Sequence, residues 1–387
     1  MLLNNSKTME FLTLELRPLL QSCNAFIAMR KDLNLKDVRI ELSKNSIALI
    51  LKDHSINFSL PFIRIVPTSL SMLIIKDNWV CFRLQTMPLD LVFGSFSTEV
   101  VTDPSKSLQL TSCLQPILED IKLLFKASEC VVSCACCKNV ISRATAFKRI
   151  LPLPDIQCSP DEWFCCKHNS DNIIKNIETQ ESDYLYGSYF ALLCKSIFIS
   201  SLHIDNKTLI CDKCFLHIGT LHSCNLFKIW NCCVDYKPQN EALNTVNATD
   251  PLNDFLTFIK DSLSDVLGEE IILQTSVGKQ THYLLIKPMD RALNLITEPN
   301  NHQTISDTDT SISLQQKYVA KVLYKYDTNE IASTNNYWNT EYHEVGLPMI
   351  EAGLKHLLSS TKRLPHDYRN VADYFLGYII LRENEMN

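Results

Sequence analysis

Short runs in which apolar and polar residues alternate dominate the first part of the chain. Residues 38–42, 46–51, 56–60, 71–75 and 79–84 are rich in β-branched and aromatic side chains and are broken by Asp, Asn, Lys and Pro. Such runs predict strands at intervals of about ten residues, the rhythm of a sandwich or an open barrel. Over 108–125 the apolar spacing becomes helical, and this helix is expected to close the β region. After position 250 the pattern mixes both periods. A helix is expected over 252–267, with Leu252, Phe255, Leu256, Ile259, Leu263, Val266 and Leu267 on one face and Gly268 at its end. Strands follow over 271–275, 283–287, 292–296 and 318–324, then a helix over 348–360 and a closing strand over 371–381, with a polar loop at 300–310.

Cysteine usage changes the picture in the middle of the chain. Thirteen of sixteen cysteines fall between 130 and 233, which suits local metal ligation better than a disulfide framework spread along a secreted chain. Cys134-Ala-Cys136-Cys137 and Cys211-Asp-Lys-Cys214 have the spacing of zinc knuckles, in which two thiolates on a tight turn supply half of a tetrahedral shell. A structural zinc site at Cys134, Cys137, Cys211 and Cys214 is therefore expected, with Cys136 an alternative to Cys137. Cys130, Cys158, Cys194 and Cys224 read as small buried apolar residues. The start of the chain lacks a basic, continuously apolar leader and no apolar run is long enough to span a bilayer, so a cytosolic or nuclear setting is expected.

Between the knuckles, Arg149-Ile-Leu-Pro-Leu-Pro-Asp reads as an extended strand stiffened by Pro152 and Pro154. It leads to Trp163-Phe-Cys165-Cys166-Lys-His168, where the thiols and imidazole either form part of a second, incomplete metal site or simply pack. The stretch 238–251 is polar and reads as a linker. The fold class is then α+β and largely β, in three domains. These are an N-terminal β-rich domain (1–128), a cysteine-rich zinc-knuckle domain (129–236) and, after a linker (237–250), a C-terminal α+β domain (251–387).

The net charge of −6 is spread along the chain with no basic tract to follow a phosphate backbone, which argues against direct nucleic-acid binding. Eight glycines without a Gly-rich phosphate loop, and the lack of G-x-S-x-G or H-E-x-x-H, remove the common nucleotide-binding, hydrolase and metalloprotease classes. Protein partners remain. His203, His217 and His222 flank the second knuckle and read as surface or core histidines, and Trp230 with Cys232 and Cys233 reads as core.

The order of these motifs resembles the HECT-like proteins that bind ubiquitin-conjugating enzymes. Cys-x-x-Cys, Leu-Pro-Leu-Pro, Trp with Cys-Cys and His, Cys-x-x-Cys followed by Gly219, and a late Leu-Pro-x-x-x-Arg leading to an apolar strand all occur. The resemblance implies a ubiquitin-protein ligase that binds a ubiquitin-conjugating enzyme through roughly 214–234. It also implies a role in pre-mRNA 3′-end processing, as a factor that stabilises a metallo-β-lactamase-type endonuclease. For that partner the contact residues carried over are Pro152, Pro154, Trp163, Cys165, Cys166 and His168, with Cys166 and His168 presented to the metal centre. One departure stands out. The last cysteine is Cys233, and Ala352 stands where relatives carry a cysteine after Leu-Pro. Thioester transfer needs a thiolate as both nucleophile and leaving group. Any ligase activity would therefore have to use an upstream thiol such as Cys232 or Cys233, or work by orienting a charged conjugating enzyme, and the departure favours the endonuclease-binding factor, with the ligase as the alternative.

Overall fold

The computed structural model describes residues 9–52, 55–61, 63–87, 114–153, 180–205, 207–265, 270–277, 280–298, 311–312, 314–328 and 340–383. These residues are mostly strand, with three α-helices at Leu114–Ala127, Pro251–Asp265 and Leu347–Thr361. The largest sheet is mixed and joins the two ends of the sequence. Its main path runs Asn370–Val371, Tyr374–Glu383, Gln315–Asp327, Gln280–Thr297, Met9–Arg17, Ser22–Met29, Trp79–Met87, Arg64–Ile65. The junction is antiparallel, with Thr13 to Leu16 opposite Thr297 to Asn294. The regions 1–128 and 251–387 are thus continuous through one sheet.

Strands Met9–Arg17 and Ser22–Met29 show no clean alternation in sequence because both of their faces are covered. Leu12, Leu14 and Leu16 enter a core with Ile47, Leu49 and Phe58, while Phe26 and Ala28 pack on Trp79, Leu376 and Tyr378 on the opposite side. On that opposite side Glu15 is fully buried and accepts hydrogen bonds from Lys321 Nζ (2.6 Å), Tyr378 Oη (2.5 Å) and Asn24 Nδ2 (3.2 Å). Burial opposes its ionisation, but Lys321 and the other donors outweigh that cost and hold the carboxyl below the usual carboxylate range. The expected strands 283–287 and 292–296 form one strand, Gln280–Thr297, whose register shifts around Pro288 and Asp290. Proline has no N–H to give the ladder, and the irregularity absorbs it.

Helix Leu114–Ala127 does not close the N-terminal β region. Its buried residues Ile121, Leu124 and Phe125 lie in the core of the cysteine-rich region, where Phe125 meets Phe147, Tyr184 and Tyr236 at ring centroids of 4.5, 5.2 and 5.4 Å. That core is roofed by a seven-stranded sheet in the order Arg149–Pro152, Asp183–Tyr186, Phe190–Cys194, Leu226–Trp230, His217–Ser223, Thr208–Cys211, Leu202–Asp205. A separate antiparallel pair, Cys130–Cys134 with Val234–Pro238, lies beside it. The polar stretch expected as a linker is not a free tether. Val246 exchanges backbone hydrogen bonds with Tyr236, and Leu243 and Val246 pack on the same core.

Helices Pro251–Asp265 and Leu347–Thr361 cross over a third core containing Phe255, Ile259, Met349 and Leu357. At the crossing Gly353 faces Phe255 so closely that a Cβ would stand 2.5 Å from the ring. Trp230 and Cys233 of the cysteine-rich region also belong to this core.

Candidate metal centre

Each Cys-x-x-Cys pair begins at the end of a strand. Cys134 closes Cys130–Cys134, and Cys211 closes Thr208–Cys211. Both turns have the same backbone plan. The amide of Lys138 donates to Cys134 O (2.8 Å) and that of Phe215 to Cys211 O (2.9 Å). In return the amides of Cys134 and Cys211 donate to Asn139 O (2.8 Å) and Leu216 O (3.0 Å). To close the turn, the residue after the second cysteine adopts a left-handed backbone, with φ of 58° at Lys138 and 59° at Phe215. Glycine is the usual occupant of such a position because a Cβ is strained there.

The four sulfurs expected to gather do so, all within 4.8 Å of one another. Cys134 Sγ lies 3.5 Å from Cys214 Sγ, and Cys137 Sγ 3.6 Å from Cys211 Sγ. A tetrahedral ion with metal–sulfur bonds of about 2.3 Å needs sulfurs about 3.8 Å apart, so the set has the size to hold one ion. Cys136 is exposed and lies outside the set, which assigns the second position of the first knuckle to Cys137. Burial and neighbouring sulfurs push the Cys134 and Cys137 thiols up. At Cys211 burial acts in the same direction but is outweighed by the amides of Cys214 and Lys213 and by neighbouring thiols, which bring the pKa down. Thiolates are the ligating form, so a bound cation would pull all four toward deprotonation.

Residues that the motif does not reveal brace the pair. Asn139 Nδ2 reaches across the centre to Asp212 Oδ1 (3.0 Å) and Cys211 Sγ (3.8 Å). Lys138 Nζ pairs with buried Asp235 at 2.7 Å, and the Ala135 amide donates to Cys233 O at 2.9 Å. Only the position of Lys138, directly after its knuckle, could have flagged it in sequence.

The other candidates are placed unevenly. Pro152 is exposed at the end of an edge strand, whereas Pro154, Trp163, Cys165, Cys166 and His168 lie outside the described residues, as does Cys158. Cys130 is buried and Cys194 half-buried, but Cys224 is exposed at the turn between His217–Ser223 and Leu226–Trp230, contrary to the expected burial. His203 and His222 are on the surface. His217 is core. Its Nε2 is 2.7 Å from Gly219 O and its Nδ1 3.0 Å from Thr275 Oγ1, tying the cysteine-rich sheet to strand Glu270–Val277, and burial lowers its pKa.

A family model described as HECT-like ubiquitin-conjugating enzyme (E2)-binding matches residues 15–376. The chain belongs to this HECT-like family. No curated protein and no solved structure matches it. In this HECT-like protein Leu347-Pro348 opens helix Leu347–Thr361, and Ala352 sits half-buried in it. Cys232 and Cys233, the upstream thiols considered for transfer, are 7% and 0% exposed. The adjacent Cys233 sulfur and burial keep the Cys232 thiol protonated.

Proposed function

We propose that this protein is a zinc-stapled scaffold that docks a ubiquitin-conjugating enzyme and orients ubiquitin transfer, without carrying ubiquitin on a C-terminal thiol. The observation that carries this reading is the match to the E2-binding family over 15–376. Four thiolates are a soft, closed donor set, the kind that holds zinc for structure and leaves no open position for substrate. Cys134, Cys137, Cys211 and Cys214 would be its ligands. Zinc would lock the pair Cys130–Cys134 with Val234–Pro238 to the seven-stranded sheet, making a stapled middle domain. Thiolate ligation of this kind suits a reducing setting, the cytosol or nucleus. Burial of Cys232 and Cys233 supports orientation of a charged enzyme over thioester transfer through them.

The test is titration of the zinc-loaded protein against a panel of purified, ubiquitin-charged conjugating enzymes. Saturable binding by at least one member and faster discharge of its ubiquitin to free lysine are expected, with no thioester on this chain in non-reducing gels. Failure of every member to bind would overturn the proposal.

Engagement of a metallo-endonuclease of pre-mRNA 3′-end processing rests on the resemblance. In its favour is the strand Arg149–Pro152, at the edge of its sheet among the described residues, on which Leu151 is 44% exposed.

A further inference from the structure

The stretch 214–234, to which the resemblance assigns partner binding, is mostly interior. His217 to Thr220, Leu226, Phe227, Ile229, Trp230 and Cys232 to Val234 are all buried. Four of its residues are exposed: Phe215 at the exit of the second knuckle, and His222, Cys224 and Asn225 at the hairpin turn. Phe215 is the one large apolar residue among them. At 73% exposure it is also the most exposed large hydrophobic residue of the described chain.

Its backbone makes that exposure more telling. Phe215 holds φ at 59°, where a Cβ is strained and glycine is at ease, and its amide is fixed by Cys211 O. The first knuckle offers an internal comparison, since Lys138 has the same φ and the same hydrogen bond. Lys138 contributes to the fold by pairing with Asp235. Phe215 packs in none of the hydrophobic cores and makes none of the aromatic contacts of the described residues. An aromatic side chain thus occupies a strained, solvated position outside every hydrophobic core of the described residues. Aromatic residues rigidly presented in this way are typical anchors of protein interfaces.

We infer that Phe215 is the apolar anchor that inserts into a pocket on the ubiquitin-conjugating enzyme, an inference that rests on the E2-docking function proposed above. The knuckle serves as a rigid base: two backbone hydrogen bonds fix the Cα of Phe215 before the partner arrives, and a bound ion would hold it further, so little ordering entropy is lost on docking.

The decisive experiment compares wild type, Phe215→Gly, Phe215→Tyr and, as a control at an exposed apolar residue with a positive φ of 53° away from the knuckles, Met72→Gly, each full-length and zinc-loaded. Affinity is measured for whichever purified, ubiquitin-charged conjugating enzyme of the panel binds wild type, alongside zinc content and melting temperature. Phe215→Gly should weaken binding about tenfold or more while retaining its zinc and melting no lower than wild type, because glycine relieves the backbone. Phe215→Tyr should bind nearly as well as wild type, and Met72→Gly should bind unchanged. Wild-type binding that Phe215→Gly leaves intact would overturn the anchor while sparing the docking function. Absence of binding by wild type would overturn both.

Discussion

Asp254 shows how a single buried carboxyl sets the pH response of the fold. It is 4% exposed, accepts a hydrogen bond from Thr249 Oγ1 at 2.6 Å, and lies beside Cys232. Burial, helped by the charge of Asp250, pushes its pKa up to about 7, against the smaller opposing pull of Thr249 and Cys232. Below about pH 4 the group is protonated in the folded and unfolded chains alike. Between about pH 4 and pH 7 the unfolded chain ionises while the folded one keeps its proton, so stability contributed by this site falls as pH rises and levels off above the folded pKa. Asp254→Asn should therefore flatten that slope and stabilise the protein at pH 8, by up to about 4 kcal/mol. Urea unfolding of both proteins at pH 5 and pH 8 measures it. Glu15 acts in the opposite sense: its lowered pKa gives stability that is present above the ordinary carboxylate range and lost in acid. Neither role is legible in sequence, because an Asp or Glu between apolar neighbours reads as a solvated position until the second face of its element is known to be covered.

At the scale of elements, the strand pair His217–Ser223 with Leu226–Trp230 carries the stretch that reaches from the second knuckle to the C-terminal core. Gly219 sits where the pair is tightest. A Cβ there would stand 2.0 Å from Lys228 O and 3.0 Å from Ile229 Cα, both backbone atoms that cannot swing aside. Gly219→Ala should cost about 3 kcal/mol or more, seen as a lower denaturation midpoint with an unchanged slope. The motif placed this glycine; only the structure gives its reason. Elsewhere, legibility followed solvation. Strands Arg39–Ser43, Ser46–Ile50 and Ser55–Ser59 alternate because one side faces water, and they fall within a residue of their expected bounds. Met9–Arg17 and Ser22–Met29 were hidden because both faces are covered, and helix Leu114–Ala127 was visible as a helix but not in its choice of core. The knuckles were the plainest signal, since a two-residue gap between cysteines already encodes the turn. The exposure of Phe215 could not be read the same way, because side-chain exposure at a turn exit has no periodicity.

For the whole molecule, an ion held by the four-cysteine cluster would act as a clasp between two sheets. Cys134 and Cys137 belong to the two-stranded pair, Cys211 and Cys214 to the seven-stranded sheet. Elemental analysis should find one zinc per chain at this cluster. Its removal by a strong chelator under reducing conditions should lower the melting temperature by about 10 °C or more, because the binding free energy of a structural ion is part of the folding free energy. Retention of the full melting temperature by metal-free protein would show that the sulfurs are held by packing alone.

The pairing of Thr13 to Leu16 with Asn294 to Thr297 also bears on how the protein is made. During synthesis the first strand emerges long before its neighbour, and at ordinary elongation rates the wait is on the order of tens of seconds. Over that interval a nascent chain holds an open, two-sided apolar edge, the kind of surface that recruits either a chaperone or another polypeptide. Completion of the sheet is thereby timed by the ribosome, and a truncated transcript that stops before the long strand would leave the early strands without their partner.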